Sequence, residues 1–274
     1  METKKLEQII IIILALLNVF LLIVVLGDGA EARGSRRETE ASLTALFAES
    51  GIAVGPEAEL IQSGAVQCVV ARDMEQEQRR MRGLLGRYSA SDQGGSIWFY
   101  ESGKGQAVMR GTGEMELLLT GEEVRRSGDG AREAAKLFSR AGVELYPLER
   151  APEGDDSRLS LCCGWNGYPV YNAVMNFDFS GDRLYMVSGT MVFNVETESE
   201  PDAGMDSVSA LVRFLELAKS EGFICSRLET VTPGYYVNVA LSGESTLTPV
   251  WRIATDTGDF FINAVSGRME GVPT

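Results

Sequence analysis

The uncharged apolar segment at residues 9–26 is the feature that most constrains what this chain can fold into. It follows Lys4 and Lys5 and is interrupted only by Asn18. A helix needs ~20 apolar residues to cross ~30 Å of hydrocarbon, and a helix at the surface of a soluble domain is rarely apolar on every side. The sequence therefore predicts a short cytoplasmic N-terminus at residues 1–8 and one transmembrane helix at residues 9–26.

A cleavable signal peptide is the alternative for this segment. Ala30 and Ala32 offer small residues at a spacing that a signal peptidase accepts, but the apolar run is longer than the ~7–15 residues usual for a signal peptide. Positive charges flank the run on both sides, so they do not fix its orientation. Because the N-terminus is too short to form a domain, we expect a single-pass protein of the cell membrane with its C-terminal part extracytoplasmic.

One stripe of the predicted helix could contact another membrane helix. Leu14, Asn18, Leu21 and Val25 fall on the same side at helical spacing. An amide in hydrocarbon gains from a hydrogen bond to a neighbouring helix. These four residues are the candidate contacts with a partner helix, the alternative being that Asn18 is merely tolerated.

Charge and composition exclude several classes of function. The chain has a formal net charge of −14, which repels phosphate backbones and makes nucleic acid an improbable partner. It has no histidine, so neither a Ser-His-Asp nor a Cys-His catalytic arrangement can form. We predict a protein that is not an enzyme and uses no cofactor and no metal. A carboxylate-dependent cell-wall hydrolase using Asp178 and Asp182 is the remaining catalytic alternative.

The four cysteines lack the paired spacing of a metal site. Cys162 and Cys163 are adjacent, so in a strand they point to opposite faces. We expect all four to be core or half-buried thiols. A disulfide between Cys68 and Cys225, or one that uses Cys162 or Cys163, is the alternative.

Three similar patterns predict helices that end at glycine. The first predicted helix begins near Glu38 and is followed by Gly51. The second lies within Ala131–Ala141 before Gly142, and the third lies within Ser207–Glu221 before Gly222. A further helix is predicted within Met74–Arg87.

Short segments of strand character follow each of these helices. The predicted fold class is α+β, with a repeated unit of one helix packed on an antiparallel sheet. After a tether at 27–37, the predicted domains are a membrane-proximal one at 38–127 and a distal one at 128–274.

The clearest strands lie toward the C-terminus. Tyr168–Phe179 and Arg183–Val195 flank the turn signal Ser180-Gly181-Asp182, and Pro233-Gly234 marks a second predicted turn. Upstream, the run Trp98-Phe99-Tyr100 could face a ligand, or it could supply two core contacts and one exposed ring.

Two stretches of sequence resemble a known family. The anchor contains Leu17-Asn18-Val19-Phe20-Leu21-Leu22, and the C-terminal part contains Pro249-Val250-Trp251-Arg252-Ile253 followed by Phe260-Phe261-Ile262-Asn263-Ala264-Val265-Ser266-Gly267. With the very short N-terminus, this arrangement resembles the YycH/YycI regulators of two-component systems and is nearer to YycI. The C-terminal signature also resembles PepSY-type modules. The residues that carry this signature are Trp251, Ile253, Phe260, Phe261, Asn263, Ala264 and Gly267.

The resemblance implies a function and partners. It implies a non-enzymatic, membrane-anchored regulator of a cell-wall two-component system. Such a protein modulates a sensor histidine kinase through its transmembrane helix and extracytoplasmic domain, together with a YycH-like sister protein. The alternative is an extracytoplasmic PepSY-like binder or inhibitor of a protease or cell-wall component.

Overall fold

A computed structural model describes residues 36–120, 130–148, 157–192, 195–197, 204–239 and 244–270. The predicted N-terminus at 1–8, the predicted helix at 9–26 and nearly all of the predicted tether lie outside these residues. The described helices are α1 (36–49), α2 (Met74–Leu85), α3 (Gly130–Ser139) and α4 (Ser207–Glu221).

Fifteen strands make up most of the remaining described residues. They are β1 (Ala53–Val54), β2 (Cys68–Ala71), β3 (Ser89–Asp92), β4 (Trp98–Ser102), β5 (Gly105–Met109), β6 (Glu114–Leu119), β7 (Leu145–Pro147), β8 (Arg158–Trp165), β9 (Tyr168–Ser180), β10 (Arg183–Thr190), β11 (Val195–Thr197), β12 (Arg227–Val239), β13 (Glu244–Thr255), β14 (Asp259–Asn263) and β15 (Met269–Glu270).

The helix ends follow the chemistry of their sequences. Asp73 begins α2 by accepting hydrogen bonds from the backbone N–H groups of Glu75 and Gln76, and Asp206 begins α4 in the same way. Gly51, Gly142 and Gly222 follow α1, α3 and α4 with φ of 77°, 70° and 76°. This left-handed conformation favours glycine, so the three predicted glycine stops are confirmed.

All the strands belong to one mixed sheet whose long path runs β11-β2-β13-β12-β9-β10-β6-β5-β4-β3. Strand β9 joins its two halves. Its start lies parallel to β12, where Tyr235 is opposite Val170, and its later residues pair antiparallel with β8 and β10.

The four helices pack on the same face of this sheet. Leu247, Trp251 and Ile253 share one face of β13 because side chains alternate along a strand. Leu247 belongs to the core under α2 and α3, whereas Trp251 and Ile253 belong to the core under α1 and α4. The sheet therefore has one face covered by helices and an opposite face that none of α1–α4 covers.

This architecture corrects the predicted fold class. The expected repeat of separate helix-on-sheet, PepSY-like units is wrong, because the strands behind all the helices join one mixed sheet. The physical reason is the pairing of β9 with both halves, a long-range contact that local periodicity does not encode. Strands from both sides of the predicted boundary at residue 127 pair, as in β2 with β13 and β6 with β10. The boundary between independently folding units stays a prediction.

The predicted turn at Pro233-Gly234 is also wrong. Both residues lie within the continuous strand β12, where Pro233 is opposite Trp251 and Gly234 is opposite Val250. The hairpin turn between β9 and β10 is confirmed, with Gly181 at φ 64°.

The predicted localisation as a single-pass membrane protein with an extracytoplasmic C-terminal part requires correction. Within the part of the chain that the structure describes, no helix is both long enough and apolar enough to cross a membrane. The longest helix within the described residues, α4, has 15 residues, which is short of the ~20 that a span needs.

Candidate functional site

A cleft opens on the sheet face that the helices leave uncovered. Its volume is about 950 Å³, within the range of ~300–1,000 Å³ usual for small-molecule sites. Its residues come from β7, β8, β9, β12, β13 and β14 and from the segments beside them, and none comes from α1–α4. The lining residues are Tyr146, Pro147, Leu148, Ser160, Gly167, Tyr168, Pro169, Tyr171, Val174, Asn176, Thr232, Pro233, Tyr236, Arg252, Asp259 and Phe261. We call this site the tyrosine cleft.

Two of the tyrosine rings lie directly against glycines of a neighbouring strand. A Cβ added at Gly234 would lie 2.3 Å from Cε2 of Tyr171, and one at Gly164 would lie 2.3 Å from Cε2 of Tyr146. The absence of a side chain at these glycines lets each ring approach a neighbouring strand closely. The backbone therefore determines where both rings stand.

Hydrogen bonds hold the wall at the junction of β9 and β12. The Tyr171 hydroxyl lies 3.0 Å from Oγ1 of Thr232 and 3.4 Å from the Pro233 carbonyl oxygen. The Asn172 amide donates to the Val237 carbonyl at 2.9 Å and accepts from the Val237 N–H at 2.8 Å. The Asn172 side chain thus replaces a missing pair of strand hydrogen bonds, which fixes the distance between the two strands.

An aromatic cluster forms one end of the cleft. The Phe261 ring centroid lies 5.0 Å from that of Tyr171 and 5.1 Å from that of Tyr236. All three rings are half-buried, so each keeps part of its surface open. Aromatic surface of this kind packs against flat apolar groups and attracts cations.

Polar groups are few and mostly paired. The Ser160 hydroxyl donates to Oδ1 of Asn176 at 2.7 Å. The Arg252 Nε donates to Oδ2 of Asp259 at 2.8 Å, and both residues are buried. The other oxygen, Oδ1 of Asp259, is buried and has no hydrogen-bond partner among the described residues. Among the described residues that line the cleft, it is the one buried side-chain oxygen that no hydrogen bond satisfies.

Two of the cleft tyrosines have a raised pKa. Burial raises the pKa of Tyr236, and the negative charges of Glu270 and Asp259 raise it further. Burial and the adjacent Glu144 raise the pKa of Tyr146 in the same way. These two tyrosines can therefore offer a ligand neutral phenol rings and hydroxyl groups. Carboxylates beside both of them make the local electrostatic potential more negative.

The seven signature residues divide among the core, the cleft and the turn after β14. Trp251, Ile253 and Phe260 pack in the core under α1 and α4, and Phe261 on the opposite face lines the cleft. The other three shape the turn after β14: Asn263, Ala264 and Gly267, the last with φ 67°. Oδ1 of Asn263 accepts from the N–H groups of Val265 and Ser266, both at 2.9 Å.

The other predicted sites do not join the cleft. Leu14, Asn18, Leu21 and Val25 lie outside the described residues. The carboxylate of Asp178 is buried and held by Arg158 at 2.6 Å and 3.2 Å, whereas Asp182 lies in the exposed turn after β9. In the described ranges, no three Cys, Asp or Glu side chains come together as a possible metal site.

The aromatic run on β4 belongs mainly to the core. Tyr100 is fully buried, and its hydroxyl donates to Oε1 of Glu77 at 2.6 Å. Arg72 contacts the same carboxylate at 2.6 Å and 2.9 Å. Trp98 and Phe99 are half-buried, so this run is a structural element under α2 and not part of the cleft.

None of the four cysteines forms a disulfide with another described residue. Cys68, Cys162 and Cys163 are buried and Cys225 is partly buried. Burial raises the pKa of Cys162 to about 12 and that of Cys163 to about 11. The disulfide alternatives for these residues are therefore wrong in this structure.

The cleft tyrosines were missed by the sequence analysis. A signal was present, because three of the strands that form the cleft carry a tyrosine beside or near a proline: Tyr146-Pro147, Tyr168-Pro169-Val170-Tyr171 and Pro233-Gly234-Tyr235-Tyr236. Only their convergence on one sheet face distinguishes them from ordinary strand tyrosines.

No family model matches this chain. No curated protein matches it either. Among solved structures, the chain is similar to the one described as the crystal structure of an uncharacterized protein from Eubacterium rectale ATCC 33656. The sequence identity is 10%, the TM-score is 0.44, and the similarity covers 81% of this chain and 90% of that one. The resemblance to YycH/YycI proteins stays a prediction. The two partners that it implies, a sensor histidine kinase and a YycH-like sister protein, stay predictions as well.

Proposed function

We propose that this chain is a non-enzymatic binding protein that holds a small-molecule ligand in the tyrosine cleft. The observation that carries the proposal is the cleft itself: about 950 Å³ of largely aromatic space on the sheet face opposite the helices. Pockets of this size with mainly apolar walls and a few placed polar groups are the usual form of ligand sites.

The preformed walls support this proposal. Tyr171 is fixed by Gly234 on one side and by Thr232 and Pro233 through its hydroxyl. A ring that is already held in place loses little conformational entropy when a ligand stacks on it. The cleft is therefore suited to binding without rearrangement of the sheet.

The absence of a catalytic role is part of the proposal. Among the described residues, Asp259 is the one carboxylate that lines the cleft, and its Oδ2 accepts from Arg252 at 2.8 Å. This carboxylate is therefore engaged in a buried ion pair with the Arg252 guanidinium. We expect any bound ligand to be recovered chemically unchanged.

A fragment screen by ligand-observed NMR with the full chain tests the proposal. Val174→Trp should fill the cleft, because Val174 is half-buried in its wall. Val212→Trp is the matched control, since Val212 is exposed on α4 at the opposite face. We expect fragments that bind wild type and Val212→Trp but not Val174→Trp. Equal binding to all three proteins, or none to wild type, would overturn the proposed site.

A further inference from the structure

The aromatic end of the tyrosine cleft has the features of a cation site. The rings of Tyr171, Phe261 and Tyr236 lie in sequence, with centroid separations of 5.0 Å and 5.1 Å. The faces of aromatic rings carry negative potential and attract cations within ~6 Å of the centroid. Three half-buried rings at these separations can contact one alkylated ammonium group together.

Carboxylates lie around these rings. Glu270 on β15 is directly opposite Phe261 on β14, so both side chains lie on the same sheet face. The Asn263 amide donates to Oε1 of Glu270 at 2.7 Å and holds it in place. Asp259 lies two residues before Phe261, is 7% exposed and has its buried Oδ1 without a partner among the described residues.

The balance of charge at this end is negative. The guanidinium of Arg252 offsets the charge of Asp259, to which it is bound. Glu270 then remains as a negative charge beside the rings, and the net charge of −14 on the whole chain draws cations toward the protein. These negative charges would repel an anionic ligand.

We propose that the end of the tyrosine cleft formed by Tyr171, Phe261 and Tyr236, with Glu270 beside it, binds the alkylammonium group of a small organic cation. This inference rests on the proposed ligand-binding function and names the class of ligand. The cleft volume of about 950 Å³ fits a small molecule, and the ring faces with the adjacent carboxylates complement a charge that is large, diffuse and weakly hydrated.

Isothermal titration of the full chain with two probes of the same shape tests the inference. The probes are choline and 3,3-dimethylbutan-1-ol, in which carbon replaces the charged nitrogen. We expect choline to bind about tenfold or more tightly than the alcohol, because a cation–π contact in a partly desolvated site is worth roughly that factor.

Variants locate the site. Tyr236→Leu and Phe261→Leu should each weaken choline binding several-fold, and Glu270→Gln should weaken choline without affecting the alcohol. Tyr185→Leu is the control, because Tyr185 is 43% exposed and does not line the cleft. Urea unfolding of each variant shows whether it is folded. If either Tyr236→Leu or Phe261→Leu fails to fold, the other variant still tests the site.

The outcomes separate this inference from the proposed function. Equal binding of the two probes, or tighter binding of the alcohol, would overturn the cation site and leave the cleft as a ligand site. Absence of binding by both probes would also overturn the cation site. If the fragment screen gave no ligand that Val174→Trp excludes, the proposed function would fail as well.

Discussion

The ring of Tyr171 lies so close over Gly234 that a Cβ at Gly234 would stand 2.3 Å from Cε2 of Tyr171. This contact joins the two halves of the sheet at the wall of the tyrosine cleft, since Tyr171 belongs to β9 and Gly234 to β12. The same Cβ would lie 2.7 Å from the carbonyl oxygen of Pro169, which is backbone and cannot rotate away.

Gly234→Ala should therefore destabilise the protein. Forcing a methyl group into this contact displaces either the Tyr171 ring or the β9 backbone, at a cost of roughly 1–3 kcal/mol in the free energy of unfolding. Urea unfolding of the full chain measures it. Gly103→Ala is the matched control because nothing lies within 4 Å of a Cβ there, and equal stability of the two variants would contradict the contact.

Some of this fold could be predicted from the sequence and some could not. Helix ends depend on local chemistry, so the stops at Gly51, Gly142 and Gly222 could be read from the chain. The strand through Pro233-Gly234 could not, because the glycine is required by a ring that lies some sixty residues earlier in the chain. Local turn propensity and long-range packing favour the same residue for different reasons.

The cleft was less predictable than the core. Alternation placed Trp251 and Ile253 together on one face, as the structure has them in the core under α1 and α4. Phe261 was singled out as a signature residue, but its role in the cleft depends on Tyr171 and Tyr236 from other strands. Strand order is set by pairing between distant segments, and a single sequence does not show it.

The buried carboxylate of Glu77 gives a prediction for the core. Tyr100→Phe removes the hydroxyl that donates to Oε1 of Glu77 at 2.6 Å. Because hydrogen bonds to buried charged groups are strong, we expect a loss of roughly 1.5–3 kcal/mol in unfolding free energy. Thermal unfolding compared with Tyr185→Phe, an exposed position, measures the effect, and a change of similar size in both variants would count against this network.

The thiols should differ in reactivity. The thiolate is the reactive form, and burial raises the pKa of Cys162 to about 12 and of Cys163 to about 11. With iodoacetamide at pH 8, we expect Cys225, the least buried of the four, to be alkylated first. Peptide mass spectrometry of the native full chain shows the order, and urea-unfolded protein is the control in which all four should react. Modification of Cys162 or Cys163 before Cys225 would contradict the assigned burial.

Cys163 also predicts a dependence of stability on pH. Its pKa is raised from 9.0 to about 11 in the folded protein, so the folded state holds the proton more tightly than the unfolded state. Its contribution is present below about pH 9 and is lost as pH rises from there, which amounts to about 1 kcal/mol by pH 10. We expect Cys163→Ala to lose less stability than wild type between pH 8 and pH 10 in urea unfolding, and identical losses would refute this linkage.

The central claim is that the tyrosine cleft is the ligand site, and NMR of the full chain with ¹³C-labelled tyrosine rings tests it most directly. Adding the fragments selected by the screen, or choline, should shift the ring signals of Tyr171 and Tyr236 while those of Tyr100 and Tyr185 stay unchanged. Shifts confined to Tyr185, or equal shifts at all tyrosines, would contradict the claim.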